Sequence, residues 1–470
     1  MRHLPVALLL FAWAFVSLMT PVRRTSAQQG PAAPEAPAKF LGVARCGGTN
    51  CHGQEQPRQP PPHMNESISW AGVDAAGFPH DFHSYAWRRL SEDPLSPRIM
   101  EALNQREGTN DEATSSGRCV TCHGASIHDL GRGRKNPRAP VALYPELRGA
   151  MFRKEEGVTC DGCHGPAEKW LKPHEKRGWA AERWNEAGGR DGGGEKLYDE
   201  LGLYYSKDLV LWAEQCVRCH LRIDTNMLDA GHLDLISFEL FGQNEYTPHW
   251  RDYSREQPSP DLPAAGPSHA AVVWIVGQTV TVREAARQLR DRTLGTAHDR
   301  VDTAHVRNAI QRLGSHWVAL RAGLATLAPD ARAPLAAAID PLLAMERDDP
   351  HDHQALAAGA TRVIELLAPL PRRLADLPPG SVDLARVEAI MAALLADRTA
   401  TADGLRAAVL MRSLYALNYA RLSHRDPQAL VPNPPTEPVM IALDEMWEDP
   451  DPVRESFKAA LEKIRAALAK

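Results

Sequence analysis

Long basic runs, strand-like alternation and a second long apolar segment are all missing or scarce in this chain of 470 residues. Without a basic run, and with a formal net charge of only −5, it offers no electrostatic footprint for nucleic acid. With little alternation of apolar and polar residues, a sheet architecture has no pattern to build on. An ordinary composition, 43% hydrophobic and 24% charged, argues against collagen-like or disordered chains. Beyond the first twenty residues nothing is apolar enough and long enough to cross a membrane. Cysteine is absent after Cys219, so thiol chemistry is confined to the first half.

What is present begins at the N-terminus. Arg2 and His3 precede an apolar stretch from Leu4 to Met19, and Thr25-Ser26-Ala27 supplies small residues for cleavage. This predicts a signal peptide over 1–27 and a periplasmic or otherwise exported protein. Arg23 and Arg24 keep open an uncleaved anchor, which would associate the chain with a membrane.

Composition divides the rest. Residues 28–40 are Pro/Ala-rich and read as a flexible leader. Residues 41–256 are irregular and rich in Gly, Pro, Trp and His. A Pro-rich linker follows at 257–268. Residues 269–470 carry apolar residues at three- and four-residue spacing, starting with Val272, Val273, Ile275, Val276, Val282, Ala286 and Leu289. Similar runs at 301–327, 333–346, 354–368, 382–397, 401–422 and 451–468 predict a helical bundle. Asp451-Pro452 marks the start of the last. The fold class expected is mainly α: a loop-rich first domain, then an α-helical bundle domain.

All eight cysteines fall in four close pairs, and the second of each pair is followed at once by histidine. Three pairs are Cys-x-x-Cys-His: Cys119/Cys122/His123, Cys160/Cys163/His164 and Cys216/Cys219/His220. The first, made of Cys46, Cys51 and His52, has four residues between its cysteines. Two thiols on one turn can add to the two vinyl groups of one haem, and the next residue offers an imidazole to the iron from the same side. With histidine at about 4% of the chain, four such hits by chance would occur roughly three times in a million. Two zinc sites, each with four cysteine ligands, could use the same thiols but would not demand the four histidines. A disulfide framework fails on the same ground. The expectation is four covalently bound haem c groups, with His52, His123, His164 and His220 as proximal iron ligands.

A sixth ligand for each iron could come from His63, His80, His83, His128, His174, His232 or His249, or from Met100, Met151 or Met227. Here a family resemblance bears on the choice. The segment from Glu156 through Cys160-Asp161-Gly162-Cys163-His164-Gly165-Pro166 to Trp170 and His174 resembles the cytochrome c-554 family of multihaem proteins. So do Cys46 to Gly53, Asp81-Phe82-His83-Ser84-Tyr85-Ala86-Trp87, and Ala230-Gly231-His232 with Phe238-Glu239-Leu240. The resemblance covers roughly residues 40 to 250. It implies mostly bis-histidine ligation, with His83, His174 and His232 as distal ligands and His128 or His249 as the fourth. Which distal histidine serves which haem stays open.

The resemblance implies a periplasmic tetrahaem carrier that passes electrons between redox-partner proteins. The alternative is a multihaem oxidoreductase, one open iron acting on a small nitrogen or sulfur compound. Wider relatives have a further haem motif after a stretch like Val273-Trp274-Ile275-Val276-Gly277-Gln278, but no cysteine follows it here. The histidines of the second half (His269, His298, His305, His316, His351, His353 and His424) have no cysteine partners and read as structural or solvated.

Overall fold

A computed structural model describes residues 38–56, 64–124, 127–129, 138–140, 147–176, 178–189, 191–234, 238–241, 269–296, 299–346, 351–378, 380–425 and 438–469. The signal segment, the linker at 257–268, and His63, His249 and His298 lie outside the described residues. The protein is mainly helical. Among the described residues the only named strands are Ile127–Asp129 and Arg138–Pro140, an antiparallel pair.

Among the described residues no first-half helix exceeds the 13 residues of Leu95–Glu107, and each cysteine motif lies in or at the end of a helix. Cys119 to His123 ends helix Gly117–His123, the third motif is helix Cys160–His164, and the fourth ends helix Leu209–His220. Residues three and four apart share a helix face, so a helical Cys-x-x-Cys-His presents both thiols and the imidazole on one side. Glycine stops two of these helices just past the histidine, at Gly124 and Gly165. Gly165 has no substitute: its φ is +82°, and a Cβ there would sit 1.9 Å from the Gly202 carbonyl oxygen.

The first motif departs from the expectation of two thiols on one helical turn. Helix Val43–Cys46 stops at its first cysteine, and Cys51 lies beyond it in a separate turn. There Cys51 N donates to Gly48 O at 2.8 Å, and His52 N reaches back to Cys46 O at 3.0 Å. Four intervening residues, two of them glycine, are too many for one helical turn, so the chain folds back on itself to return Cys51 and His52 toward Cys46.

Several helices start at an aspartate that accepts a backbone N–H of the first turn, among them Asp81, Asp208, Asp224, Asp302, Asp352 and Asp383. Such caps are typically worth about 1 kcal/mol each.

The second half holds long helices: His269–Leu294, Thr303–Leu327, Pro329–Ala344, His353–Leu367, Leu384–Ala396, Gly404–Arg425, Pro438–Glu448 and Glu455–Leu468. The predicted runs are all there, with shifted ends. The run expected from 333 starts earlier, at Pro329, because proline is tolerated in a first turn. The last begins at Glu455, since Asp451 to Arg454 form a turn in which Arg454 N donates to Asp451 O. Helix Pro438–Glu448 was not anticipated.

Helix His269–Leu294 is buried along most of its length, with Gln278, Thr279, Thr281, Arg283, Glu284, Gln288 and Arg292 among the buried residues. It packs on Thr303–Leu327, on His353–Leu367 and on the motif-bearing helix Leu209–His220. One apolar core therefore runs from Val210, Trp212, Val217, Leu221 and Phe238 through Trp274, Ile310, Trp317 and Leu414 to Ile464. Two smaller clusters lie in the first half, one around Phe40, Leu103, Val120 and Phe152, the other around Trp170, Leu197 and Tyr205. The methionines considered as ligands go elsewhere: Met100 and Met227 pack in the Phe40 cluster, and Met151 is exposed.

Residues 38–40 depart from the reading of 28–40 as a flexible leader. Ala38 and Phe40 are buried, and Phe40 N donates to Leu147 O at 2.8 Å. The aromatic ring belongs to the core rather than to the tail. No helix among the described residues is long and apolar enough to cross a membrane.

Candidate cofactor-binding centre

None of the eight cysteines is in a disulfide. Their pairs stand next to one another in a defined order. Cys46 hydrogen-bonds Cys160, which holds the Cys46 thiol far above its ordinary range, with burial adding to the effect. This contact follows from local packing: helix Val43–Cys46 lies on helix Cys160–His164, and buried Asp161 accepts from Leu41 N at 3.1 Å and Gly42 N at 2.8 Å. Cys163 is neighbour to Cys216 and Cys219. Cys122 in turn hydrogen-bonds Cys219, which, with burial, keeps the Cys122 thiol well above its usual value. The spatial row is first motif, third, fourth, second.

Within the first motif the two thiols differ. Cys46 is buried on the third motif, whereas Cys51, on its own turn, is half-buried. The expected pairing of Cys46 with Cys51 as one attachment site therefore rests on a loop and not on a helix face.

Burial raises Cys119 to about 11 and Cys216 to about 12, so these thiols stay protonated and weakly nucleophilic in the bare protein. Among the described residues no three His, Cys, Asp or Glu side chains converge on one point. The histidines instead meet in twos.

Three motif histidines each face one histidine from another part of the chain. His52 faces His174 with ring centroids 6.2 Å apart and planes 15° from parallel. His220 faces His83 at 6.0 Å and 78°. His123 faces His232 at 6.4 Å and 74°. Two imidazoles on opposite sides of one metal ion would have centroids about 6.3 Å apart, given metal–nitrogen bonds like zinc's, about 2.0–2.1 Å, and about 1.1 Å from nitrogen to ring centre. All three spacings fit.

The rings are also held with one nitrogen left over. Nδ1 of His52 bonds Glu66 Oε2 at 2.9 Å, and Nδ1 of His83 bonds Asp81 Oδ1 at 2.9 Å. Nδ1 of His123 donates to Ala86 O at 3.0 Å, that of His232 to Leu233 O at 2.7 Å, and that of His174 to Leu171 O. A carbonyl oxygen can only accept, so in the last three the proton sits on Nδ1 and the lone pair on Nε2. That is the arrangement of a metal-binding histidine, whose other ring nitrogen is fixed by an outer partner.

Electrostatics follow the same division. Burial lowers His220 to about 4, aided by the charges of His83 and Arg412. Burial likewise lowers His123 and His174. At His83 burial acts downward too, but the hydrogen bond and charge of Asp81 outweigh it and the ring sits above its ordinary value.

His174, His83 and His232, expected as distal residues, are thus brought to His52, His220 and His123 respectively. The third motif is arranged differently in what is seen: His164 lies against Trp212, centroids 5.8 Å apart. His128 is on strand Ile127–Asp129, and its side chain lies outside the described part. His80 closes a turn, its N donating to Gly72 O at 2.8 Å. In the second half His305 bonds Asp229, His316 bonds Gln278 and His424 bonds Val382 O.

Sequence reasoning missed Glu66 and Asp81. Asp81 had a legible signal, since an aspartate two residues before a histidine at a helix start can cap the helix and hold the ring. Glu66 had none, because the fold alone brings it to His52. Comparison with known protein families, curated proteins and solved structures finds no match for this chain.

Proposed function

We propose that this chain is an exported tetrahaem c-type cytochrome that carries electrons between redox-partner proteins, a multihaem domain in its first half being backed by a helical bundle. The observation that carries the reading is the set of three facing histidine pairs. Each joins a motif histidine to a histidine more than a hundred residues away, at the spacing one shared iron requires. The likeness of the motifs to the cytochrome c-554 family points the same way.

On this reading Cys46 and Cys51, Cys119 and Cys122, Cys160 and Cys163, and Cys216 and Cys219 would each hold one haem through thioether bonds. His52, His123, His164 and His220 would bind the irons, joined at the first, second and fourth motifs by His174, His232 and His83. Bound haem supplies reversible one-electron chemistry at its iron. The protein's residues set the conditions for it. Histidine on both sides favours lower potentials than a His/Met pair. Glu66 fixes the ring of His52, and Asp81 makes the His83 imidazole more basic, which would lower the potential further at the fourth site.

The motifs stand in the row first, third, fourth, second, so haems held by them would lie in that order. Its two ends are near the surface. His174 is flanked by exposed Pro173 and Glu175, and His232 by Leu233, also exposed. Partners are therefore expected to meet the protein at these two ends, and the bundle packs on the helix that carries the fourth motif.

Intact mass of the mature chain tests the cofactor. A gain of four haems is expected, a gain of three would remove the site at Cys46 and Cys51, and no covalent gain overturns the reading. Electron paramagnetic resonance of the oxidised protein then tests the role. Low-spin signals from all four sites fit a carrier, whereas a substantial high-spin signal that responds to nitrite or hydroxylamine would make the protein an enzyme.

A further inference from the structure

The segment between the fourth motif and His232 is gripped along its length by residues of the second half. Arg312 Nη1 donates to Leu221 O at 3.4 Å, and Arg292 Nη2 donates to Ile223 O at 3.1 Å. Asp299 Oδ1 accepts from Thr225 N at 3.1 Å, and Arg300 N donates to Thr225 Oγ1 at 2.7 Å. Asp229 receives His305 Nε2 at 2.7 Å and Arg300 Nη2 at 3.5 Å. Just past His232, Asp234 pairs with Arg312 and lies 4.0 Å from Arg292.

These contacts are not incidental surface pairs. The Arg292 and Arg312 side chains are 1% and 0% exposed, and Arg312 is further tied to Gln288 of the central helix. A buried guanidinium is tolerated only while its carboxylate and carbonyl partners stay in place, so the pair enforces the path of the segment. Within the segment, Asp224 caps helix Thr225–Asp229, and His232 N donates to Met227 O at 3.0 Å. A chain held at Leu221, Ile223, Thr225, Asp229 and Asp234 leaves His232 little freedom to leave His123.

We propose that the helical half is a ligand clamp: Arg292, Arg312, Asp299, Arg300 and His305 are positioning residues that keep His232 on the iron attached at Cys119/Cys122/His123. The inference rests on the tetrahaem reading. It gives the second half a role in setting the ligation of one haem, beyond covering the first.

The test uses the full-length, haem-loaded protein. Arg312→Met removes a buried grip, and the double variant Arg300→Ala/His305→Ala removes the second half's side-chain contacts to Asp229, which then keeps only Arg106 of the first half at 2.9 Å, without emptying a buried charge site. The clamp predicts that His232 is displaced more readily, by about 10–100-fold for an outer-partner loss. One of the four haems should gain high-spin character and bind carbon monoxide, with the other three unchanged and added imidazole restoring the low-spin spectrum. His232→Ala should give the same single-site signature, and combining it with either variant should add nothing further. Arg312→Lys should recover part of the wild-type spectrum.

If the outer double variant retains four haems, all low-spin and closed to carbon monoxide, the clamp is overturned. High-spin conversion spread over several haems overturns it as well, since that marks general loosening. A chain with no covalent haem would sink the tetrahaem reading itself, an outcome the mass measurement separates from both.

Discussion

One oxygen of Asp81, Oδ1, accepts both the backbone N–H and the ring Nδ1 of His83, each at 2.9 Å. A single carboxylate thereby starts helix Phe82–Glu92 and orients the histidine that faces His220. The helix start and the ring's orientation share one group at this point.

Asp81→Asn separates the two roles. The amide oxygen can still accept, so the helix start and the ring orientation survive, but the charge is gone. One of the four midpoint potentials is expected to rise while the other three hold, as read by potentiometric titration. Asp81→Ala should in addition lower stability by about 1 kcal/mol through loss of the cap. Equal potentials in wild type and Asp81→Asn would refute the assignment of His83 as a ligand.

Gly165→Ala should fail for a geometric reason. The new Cβ would lie 1.9 Å from the Gly202 oxygen at a φ of +82°, against backbone that cannot step aside cheaply. Gly380 has a similar φ, +77°, with open space around it. Gly380→Ala is expected to cost about 1 kcal/mol, the ordinary penalty for a left-handed alanine, and Gly165→Ala clearly more, with reduced haem incorporation. Denaturant unfolding of the two variants side by side measures the difference.

Arg372 of the second half pairs with Asp208, the N-cap of the helix that ends in the fourth motif, and with Glu195 at 2.7 Å. The Asp208 side chain is fully buried, and burial raises its pKa even beside Arg372. Arg372→Met would leave a buried carboxylate without its cation, which typically costs about 3–5 kcal/mol. Adding Asp208→Asn should return a good part of that loss. Thermal unfolding of the single and double variants tests the coupling, and equal losses in both would refute it.

Asp397 supplies a pH test far from the thiols. It caps the turn Arg398–Thr401 and accepts from Arg321 Nε at 3.0 Å. Burial pushes its pKa up, but the Thr399 and Arg321 hydrogen bonds outweigh that and hold it below the ordinary carboxylate value. A carboxylate depressed in the folded state adds stability that is fully present above its unfolded pKa, about 3.9, and is lost as pH falls through the lower folded value. Asp397→Ala is expected to cost about 1–2 kcal/mol at neutral pH. The gap from wild type should narrow below about pH 4. A gap constant down to about pH 2.5 would contradict it.

What could be read without the fold is local in character. A regular cysteine–histidine motif works through residues three and four apart on one turn, so its chemistry is complete within a short window. Cys51 is the exception, because its position relative to Cys46 depends on how the intervening loop closes. The helices of the second half were legible because apolar spacing and Asp starts are short-range signals. Helix Pro438–Glu448 carries the same short-range signals, a first-position proline and Val439, Ala442, Leu443 and Met446 at three- and four-residue spacing, within only 11 residues.

The sequence by itself determined the mainly helical fold, the four cysteine–histidine motifs and the short set of histidines able to face them. Only the tertiary structure decided which histidine meets which, and in what order the motifs stand. It also decided that buried Arg292 of helix His269–Leu294 and buried Arg312 of helix Thr303–Leu327 would reach across to the segment bearing His232. These are contacts between residues about seventy to more than a hundred positions apart, selected by the balance of buried charge, hydrogen bonds and packing over the whole chain. No local spacing encodes that balance.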